Sequence, residues 1–519
     1  MEYDYVVVGA GSAGCVLANR LSADPGVTVA LVEAGGQDDK LEIRMPAGFK
    51  ALFKTEYDWN YTTTKQAEMA GRELYWPRGR VIGGSSSLNA QMWVRGCATD
   101  YDQWGVPGWG FNDVLPYFKK AEHRVGSNNG GVYGTAGPLH ISELRSPNVT
   151  TAAFLKACQE LGMRRLGELN ERVNEGYSPT PVTQDRGRRW SSADAYLRPA
   201  LKRPNLTVLT GATVDRVVFE GNRAVGVEHG GVRVSARREV VLSAGAIGSP
   251  YLLLRSGVGA AEDLREAGVE LVHDLPEVGR NLQDHLSTGV YVESKQPVTL
   301  VKAESLVQLV RYIVLRSGML TTNVGEAVAF IKTSPEEPAP DIELIFAPGP
   351  FIDHGLTPPT GHGLTVGVVL LQPESRGRVS LSGREVAIDP GYLTQEADVK
   401  RLVAGLKAAK QVFTTTAMRP YAGGPMAPYW APESDEELAQ WVRERGETLY
   451  HPVGTCRMGT DAESVVDPAL KVRGLEGLRV VDVSIMPTLN RGHTHAPAVM
   501  IGEKGADLIL QSRSGHTGA

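Results

Sequence analysis

The chain opens on a short β-branched run, Tyr3–Val8, then a glycine turn at Gly9–Gly14 and a small-residue segment, Ser12–Leu21, with Leu17 and Leu21 spaced for one helical face. A second buried-strand pattern covers Val27–Val32 and ends at Glu33-Ala34-Gly35. Strand, glycine turn, helix and strand within ~30 residues predict a βαβ unit, with parallel strands and a right-handed crossover. From Pro46 to Asp102 the pattern becomes irregular, aromatic and glycine-rich, the texture of a long functional loop. Strand patterns return at Leu206–Leu209, Arg223–Val227 and Glu239–Ser243, and Pro250–Leu254 reads as a helix.

A different texture runs from Pro297 to about Glu436. It holds an amphipathic stretch at Leu306–Leu315, alternating segments at Ala327–Lys332 and Asp341–Phe346, and a strong strand at Leu364–Leu371, punctuated by clustered prolines. Small-residue α/β texture resumes at Leu478–Val483, and a helix is predicted from about Ala498 to Leu510. If the last strand rejoins the first sheet, the first domain is discontinuous and the second is inserted into it. The expected division is 1–296, with minor second-domain segments around 150–197, then 297–440, then a return over 441–519.

At 519 residues the chain is too long for one compact core, and a net charge of −5 argues against a nucleic-acid partner. Four scattered cysteines offer neither a disulfide framework nor a structural metal site, so no metal is expected. No signal-like leader and no apolar run near ~20 residues is seen, so a cytoplasmic protein without an integral membrane segment is expected. The oligomeric state is not legible.

Gly9-Ala10-Gly11-Ser12-Ala13-Gly14 is a G-x-G-x-x-G run in the right context, after a strand and opening a helix. Glu33 falls 19 residues after Gly14, close to the ~20 expected of a ribose-binding carboxylate. The helix start offers free N–H groups to a diphosphate. A carboxylate at Glu33 disfavours a 2′-phosphate, but the fingerprint does not choose between FAD and NAD. Gly257-Val258-Gly259 follows a helix and is given no weight as a second nucleotide site.

Six further motifs decide the matter. Gly79-Arg80-Val81-Ile82-Gly83-Gly84-Ser85-Ser86-Ser87-Leu88-Asn89 and Gly245-Ala246-Ile247-Gly248-Ser249-Pro250 resemble the two signatures of the glucose–methanol–choline (GMC) oxidoreductase family. The resemblance continues through Gly279–His285, Ser375-Arg376-Gly377, His451-Pro452-Val453-Gly454-Thr455 and Asp482–Pro487, covering essentially the whole chain. It implies an α/β fold, with a Rossmann-like FAD-binding domain and an inserted α+β substrate domain containing a mostly antiparallel sheet. It also implies FAD as cofactor, held by Gly9, Gly11, Ser12, Ala13, Gly14, Glu33, Ala34, Arg80, Gly83, Gly84, Ser85, Asn89, Ala90, Val214, Ala244, Asp482 and His495. Leu88 stands where some members carry a flavin-linking histidine, so the FAD is expected to be non-covalent.

By the same resemblance His451 and His493 match the pair facing the reactive edge of the flavin. An alcohol that gives up a hydride must also give up its hydroxyl proton, and imidazole suits that task because its pKa lies near ~6.5. His451 is expected to be the base and His493 the aligning partner, with the reverse assignment open. His285 has an easy reading as a hydrogen-bonded turn residue, while His123, His229 and His516 sit in polar, surface-like stretches. His495 departs from the common asparagine, and two readings stay open: a positive charge near the flavin's pyrimidine end, or a space filler.

Trp93, Glu326, Phe346, Phe351 and Tyr450 are candidate pocket residues, Glu326 the most interesting polar one. The substrate is expected to be a neutral primary alcohol, oxidised to the aldehyde, with oxygen or a quinone-like molecule as electron acceptor. The stretch Leu306–Leu315, with Arg311 and Arg316, reads as a packed surface helix rather than a membrane contact. The principal rival is a lyase of the same fold, in which FAD does no net redox chemistry. An NAD-dependent dehydrogenase would explain residues 1–35 and nothing after them.

Overall fold

The computed structural model describes residues 1–429 and 432–514; His516 lies outside the described residues. Two sheets organise the chain. In the first, the strands Leu206–Leu209, Val29–Val32, Glu2–Val8 and Val232–Leu242 lie side by side and parallel. Val232–Leu242 is long enough for two partnerships: its first half pairs antiparallel with Arg223–His229, and its last residues pair parallel with Leu478–Val480. The strand near the C-terminus therefore does rejoin the first sheet. The helix Ser12–Leu21 packs between that sheet and the long helix His495–Ser514, with Val16 and Leu17 fully buried.

The second sheet is antiparallel, in the order Ala422–Pro425, Leu286–Ser294, Gly363–Leu370, Ile342–Ala347, Ala327–Ile331 and Gly176–Pro179, with Glu447–Thr448 also pairing Leu286–Ser294. Gly176–Pro179 comes from the minor segments expected around 150–197, while Leu286–Ser294 and Glu447–Thr448 lie outside both those segments and 297–440. Leu286–Ser294 belongs with Gly363–Leu370 because Val290 and Val292 alternate into the same buried face as Leu364, Val366 and Val368. The nineteen-residue helix Glu396–Thr414 covers that face with Leu402, Leu406 and Ala409.

Period-two alternation gives the sheet a second face. Leu344 and Phe346 point to the covering helix, while Glu343, Ile345 and Ala347 point to the space between the two sheets. That space is the site.

Candidate active site

A cavity of about 480 Å³ lies between the sheets, well within the range of small-molecule sites. At one end it meets the first βα turn. Gly9, Gly11, Ser12 and Ala13 line it, with Glu33 and Ala34 at the end of the second strand and Val214 and Ala244 beside them. Gly11 is the N-cap of the helix Ser12–Leu21, and no side chain caps that end. The N–H groups of the first turn thus lack a protein acceptor from a cap and suit an anionic group. Gly14 is needed for packing: a Cβ there would stand 1.8 Å from the Gly9 carbonyl oxygen.

Glu33 accepts from the backbone N–H of Ala10 at 2.8 Å and of Gly35 at 2.8 Å. Its burial raises the carboxyl pKa, against the pull of those two donors. The pair of bonds stretches the carboxylate across the turn, with lone pairs left for a ribose hydroxyl. Asp482 works similarly. It accepts from Gly245 N, Ser249 Oγ and Ser484 N, joining the strand near the C-terminus to the helix Gly245–Arg255. Burial raises its pKa too.

Gly84, Ser85, Leu88, Asn89 and Ala90 line the middle of the cavity. Gly84 is left-handed at φ +52°, and a Cβ there would come within 2.7 Å of the Gly11 Cα, so the two glycine loops touch. Gly83 stands behind this wall and donates its N–H to the Ala10 carbonyl at 2.8 Å. Arg80 does not reach the cavity; its guanidinium lies over the Trp59 ring at 5.3 Å. These two, with Gly14, shape the cradle from outside.

At the other end two histidines meet, their ring centroids 4.9 Å apart and nearly perpendicular. His451 takes its position from the Gly279–His285 segment. Its backbone N–H donates to Asp284 Oδ1 at 2.7 Å, and Asp284 Oδ2 accepts from Thr448 and Tyr392. Its ring Nδ1 is 2.9 Å from His285 Nδ1, whose Nε2 lies 3.1 Å from the Leu371 carbonyl. A carbonyl only accepts, so His285 carries its hydrogen on Nε2 and offers a lone pair at Nδ1. His451 must then donate from Nδ1, which leaves its Nε2 lone pair free on a ring that lines the cavity.

Burial, reinforced by His493, His285 and Arg78, holds His451 neutral well below the ordinary imidazole pKa. His285 is pushed down to about 3, by burial first and then by His493. Sequence reasoning treated His285 as a turn residue; its neighbour across 166 positions is visible only in three dimensions. Glu343 was missed as well. Its Oε1 accepts from His493 Nε2 at 3.1 Å, fixing that ring, while the His493 backbone N–H donates to the Val94 carbonyl. The available signal was a charged residue at an inward position of an alternating strand.

His495 lines the cavity beside the first turn. Its Nδ1 is 3.0 Å from Ser12 Oγ, and its Nε2 is buried without a partner. Burial lowers its pKa to about 3, so the ring is neutral and supplies no positive charge there. The orphaned Nε2 and the uncapped helix start are the two polar features that a bound dinucleotide would satisfy.

Of the pocket candidates, Phe351 and Tyr450 line the cavity. Tyr450 has a left-handed backbone at φ 68°, and its hydroxyl is hydrogen-bonded to His354 Nδ1 at 2.6 Å. Burial lowers the His354 pKa to about 4, so that ring is neutral. The other three lie elsewhere. Phe346 points to the covering helix and stacks on Phe154 at 4.9 Å, because its strand parity is opposite to that of Ile345. Trp93 is fully buried, its Nε1 donating to Glu122 at 2.8 Å. Glu326 accepts from Asn148 N at 2.7 Å, Thr151 Oγ1 at 2.6 Å and Thr322 Oγ1 at 2.6 Å. It anchors the start of the helix Val149–Glu160, buried away from the cavity.

Comparison with known proteins shows the family. The family model described as GMC oxidoreductase matches residues 3–287 with its N-terminal part and 373–502 with its C-terminal part. A relative described as an uncharacterised GMC-type oxidoreductase of Mycobacterium tuberculosis is 50% identical over 98% of this chain and 99% of its own. "Alcohol dehydrogenase [acceptor]" of Pseudomonas putida is 43% identical over 98% of this chain and 96% of its own. The crystal structure of pyridoxine 4-oxidase from Mesorbium loti superposes with a TM-score of 0.89 at 35% identity, covering 98% of this chain and 99% of that one. The chain belongs to the GMC oxidoreductase family, whose members are FAD-binding flavoproteins, and is an oxidoreductase with an FAD-binding Rossmann domain and a substrate domain built on an antiparallel sheet.

Proposed function

We propose that this protein oxidises a neutral primary alcohol to the aldehyde, using non-covalently bound FAD, with oxygen or a quinone-like molecule as the final acceptor. The observation that carries the proposal is the chain of contacts from the Leu371 carbonyl through His285 to His451, which ends in a free Nε2 at the cavity. Gly9, Gly11, Ser12, Ala13, Glu33, Ala34, Val214, Ala244 and Asp482 would hold the nucleotide half of the cofactor, and Gly84, Ser85, Asn89, Ala90 and His495 its ring half. Leu88, also on the wall, has no nucleophilic atom with which to link a flavin. When bound, the flavin supplies the hydride acceptor.

The alcohol's hydroxyl proton goes to Nε2 of His451, whose suppressed pKa keeps that lone pair available. His285 keeps Nδ1 of His451 as a donor and prevents the opposite tautomer, in which Nε2 would carry hydrogen. His493, held by Glu343 at its Nε2, aligns the alcohol oxygen so that the C–H bond points into the cavity. Phe351, Ile345 and Val369 give that end an apolar wall that excludes water and suits a neutral substrate. Glu326 is engaged by Asn148, Thr151 and Thr322 and does not line the cavity.

The test is the visible spectrum of the purified protein under anaerobic conditions, before and after adding a panel of primary alcohols. Bleaching of a band near ~450 nm is expected, and the speed of its return in air separates oxygen from a quinone-like acceptor. A colourless protein that takes up no added FAD, or a yellow one that no alcohol bleaches, overturns the reading.

A further inference from the structure

The helix Leu306–Leu315 has its inner side anchored. Tyr312 is buried and donates its hydroxyl to the Arg44 carbonyl at 3.1 Å, and Leu309 packs with it on the cluster of Ala303 and Leu320. Its outer side is bare. Leu306, Val307, Val310, Ile313, Val314 and Leu315 are each between 52% and 74% exposed. The helix was expected to pack its apolar stripe inward. Instead its sequence is apolar nearly all round, and only one narrow strip finds a neighbour.

Six large apolar side chains on one short helix form the kind of patch that marks an interaction surface. The charges around it indicate what covers it. Lys302 and Arg311 are exposed on the same segment, and Arg316 ends the helix. The Arg316 carbonyl meets Gly187, next to exposed Arg186, and the Arg145 side chain packs at the same point. None of these five cations forms an ion pair among the described residues. Neighbouring acids are engaged elsewhere: Glu304 with Lys50 at 2.6 Å, and Asp185 with His140 at 3.2 Å.

We infer that this helix lies on an anionic lipid surface, its apolar side chains entering the acyl boundary and its flanking cations meeting headgroup phosphates. At ten residues it is too short to span a bilayer, and no helix among the described residues is long and apolar enough to cross a membrane. A second copy of this chain is a poorer occupant, since it would bring the same set of unpaired cations and no partner acid to the face. The helix leads through Met319–Thr321 into Asn323 and Val324 of the cavity wall, so lipid contact sets the wall of the active site close to the membrane. This contact does not depend on which acceptor the enzyme uses.

The test is co-sedimentation of the full-length flavin-loaded protein with vesicles of phosphatidylcholine alone and with about 30% phosphatidylglycerol. Binding to the anionic vesicles is expected to exceed binding to neutral ones by about tenfold and to weaken with salt. V310E/V314E is expected to abolish it and R145Q/R311Q to reduce it several-fold, with flavin absorbance and melting temperature retained as evidence of folding. No preference for anionic vesicles, or unchanged binding by folded V310E/V314E, overturns the inference. So does a wild-type dimer in sedimentation velocity that V310E/V314E converts to monomer, which would give the face to a second copy.

Discussion

The two ends of the cavity are built by different means. The nucleotide end is made mainly from one contiguous stretch, residues 9–35, joined by Val214, Ala244 and Asp482, and works through backbone N–H groups, close-packed glycines and the carboxylates of Glu33 and Asp482. The histidine end draws four side chains and one backbone carbonyl from five distant places, His285, Glu343, His451 and His493 with the carbonyl of Leu371. Each is useful only through the atom that its neighbour presents. Backbone-built sites fail by losing their shape. Relay-built sites keep their shape and fail by losing one proton position.

Substitutions should separate these two kinds of failure. The largest effect is expected from Gly14→Val, because even a Cβ would collide with the Gly9 carbonyl. The purified variant should carry no flavin, read as the ratio of 450 nm to 280 nm absorbance. A variant that retains full flavin would remove the distinction between the two ends. At the histidine end, His451→Asn should keep the flavin but slow its anaerobic reduction by about 10²–10⁴-fold, measured by stopped flow. Slow reduction accompanied by flavin loss would mean that His451 serves binding as well.

His285→Gln should be milder, about 10²-fold in the same measurement, because the tautomer loses its support while the base remains. A structural role alone would lower the melting temperature without altering how reduction depends on pH. That dependence is itself a test. His451 is held below the ordinary imidazole value, so it stays neutral as pH falls through 6.5, and the rate should hold its plateau there and drop only well below it. A midpoint at or above 6.5 would contradict the buried, neutral base. The smallest catalytic effect is expected from Glu326→Gln, within about twofold in reduction rate, with a stability loss of about 1–3 kcal/mol from the damaged helix anchor. A large rise in KM without destabilisation would return Glu326 to the substrate site.

Legibility followed the same division. The first βαβ unit was readable because every interaction that defines it spans ~30 residues. The helix Leu306–Leu315 was readable to the residue, yet its environment was not: an apolar pattern states which side chains avoid water, not whether a neighbour arrives to cover them. Phe346 and Glu326 show the same limit. Strand alternation establishes that Phe346 and Ile345 face opposite ways, but only packing of the helix Glu396–Thr414 decides which face is the roof of the cavity. Glu326 is a carboxylate near the site in sequence terms, and the arrival of Asn148 and Thr151 makes it an anchor.

The sequence by itself determined the dinucleotide unit, the family and the identity of the two histidines, because motif spacing records short-range geometry and residue chemistry. The tertiary structure alone decided which nitrogen of His451 is free, what holds His493, and that one apolar helix face is left uncovered. Those properties are relations between groups far apart along the chain, and a relation of that kind has no local pattern to leave behind.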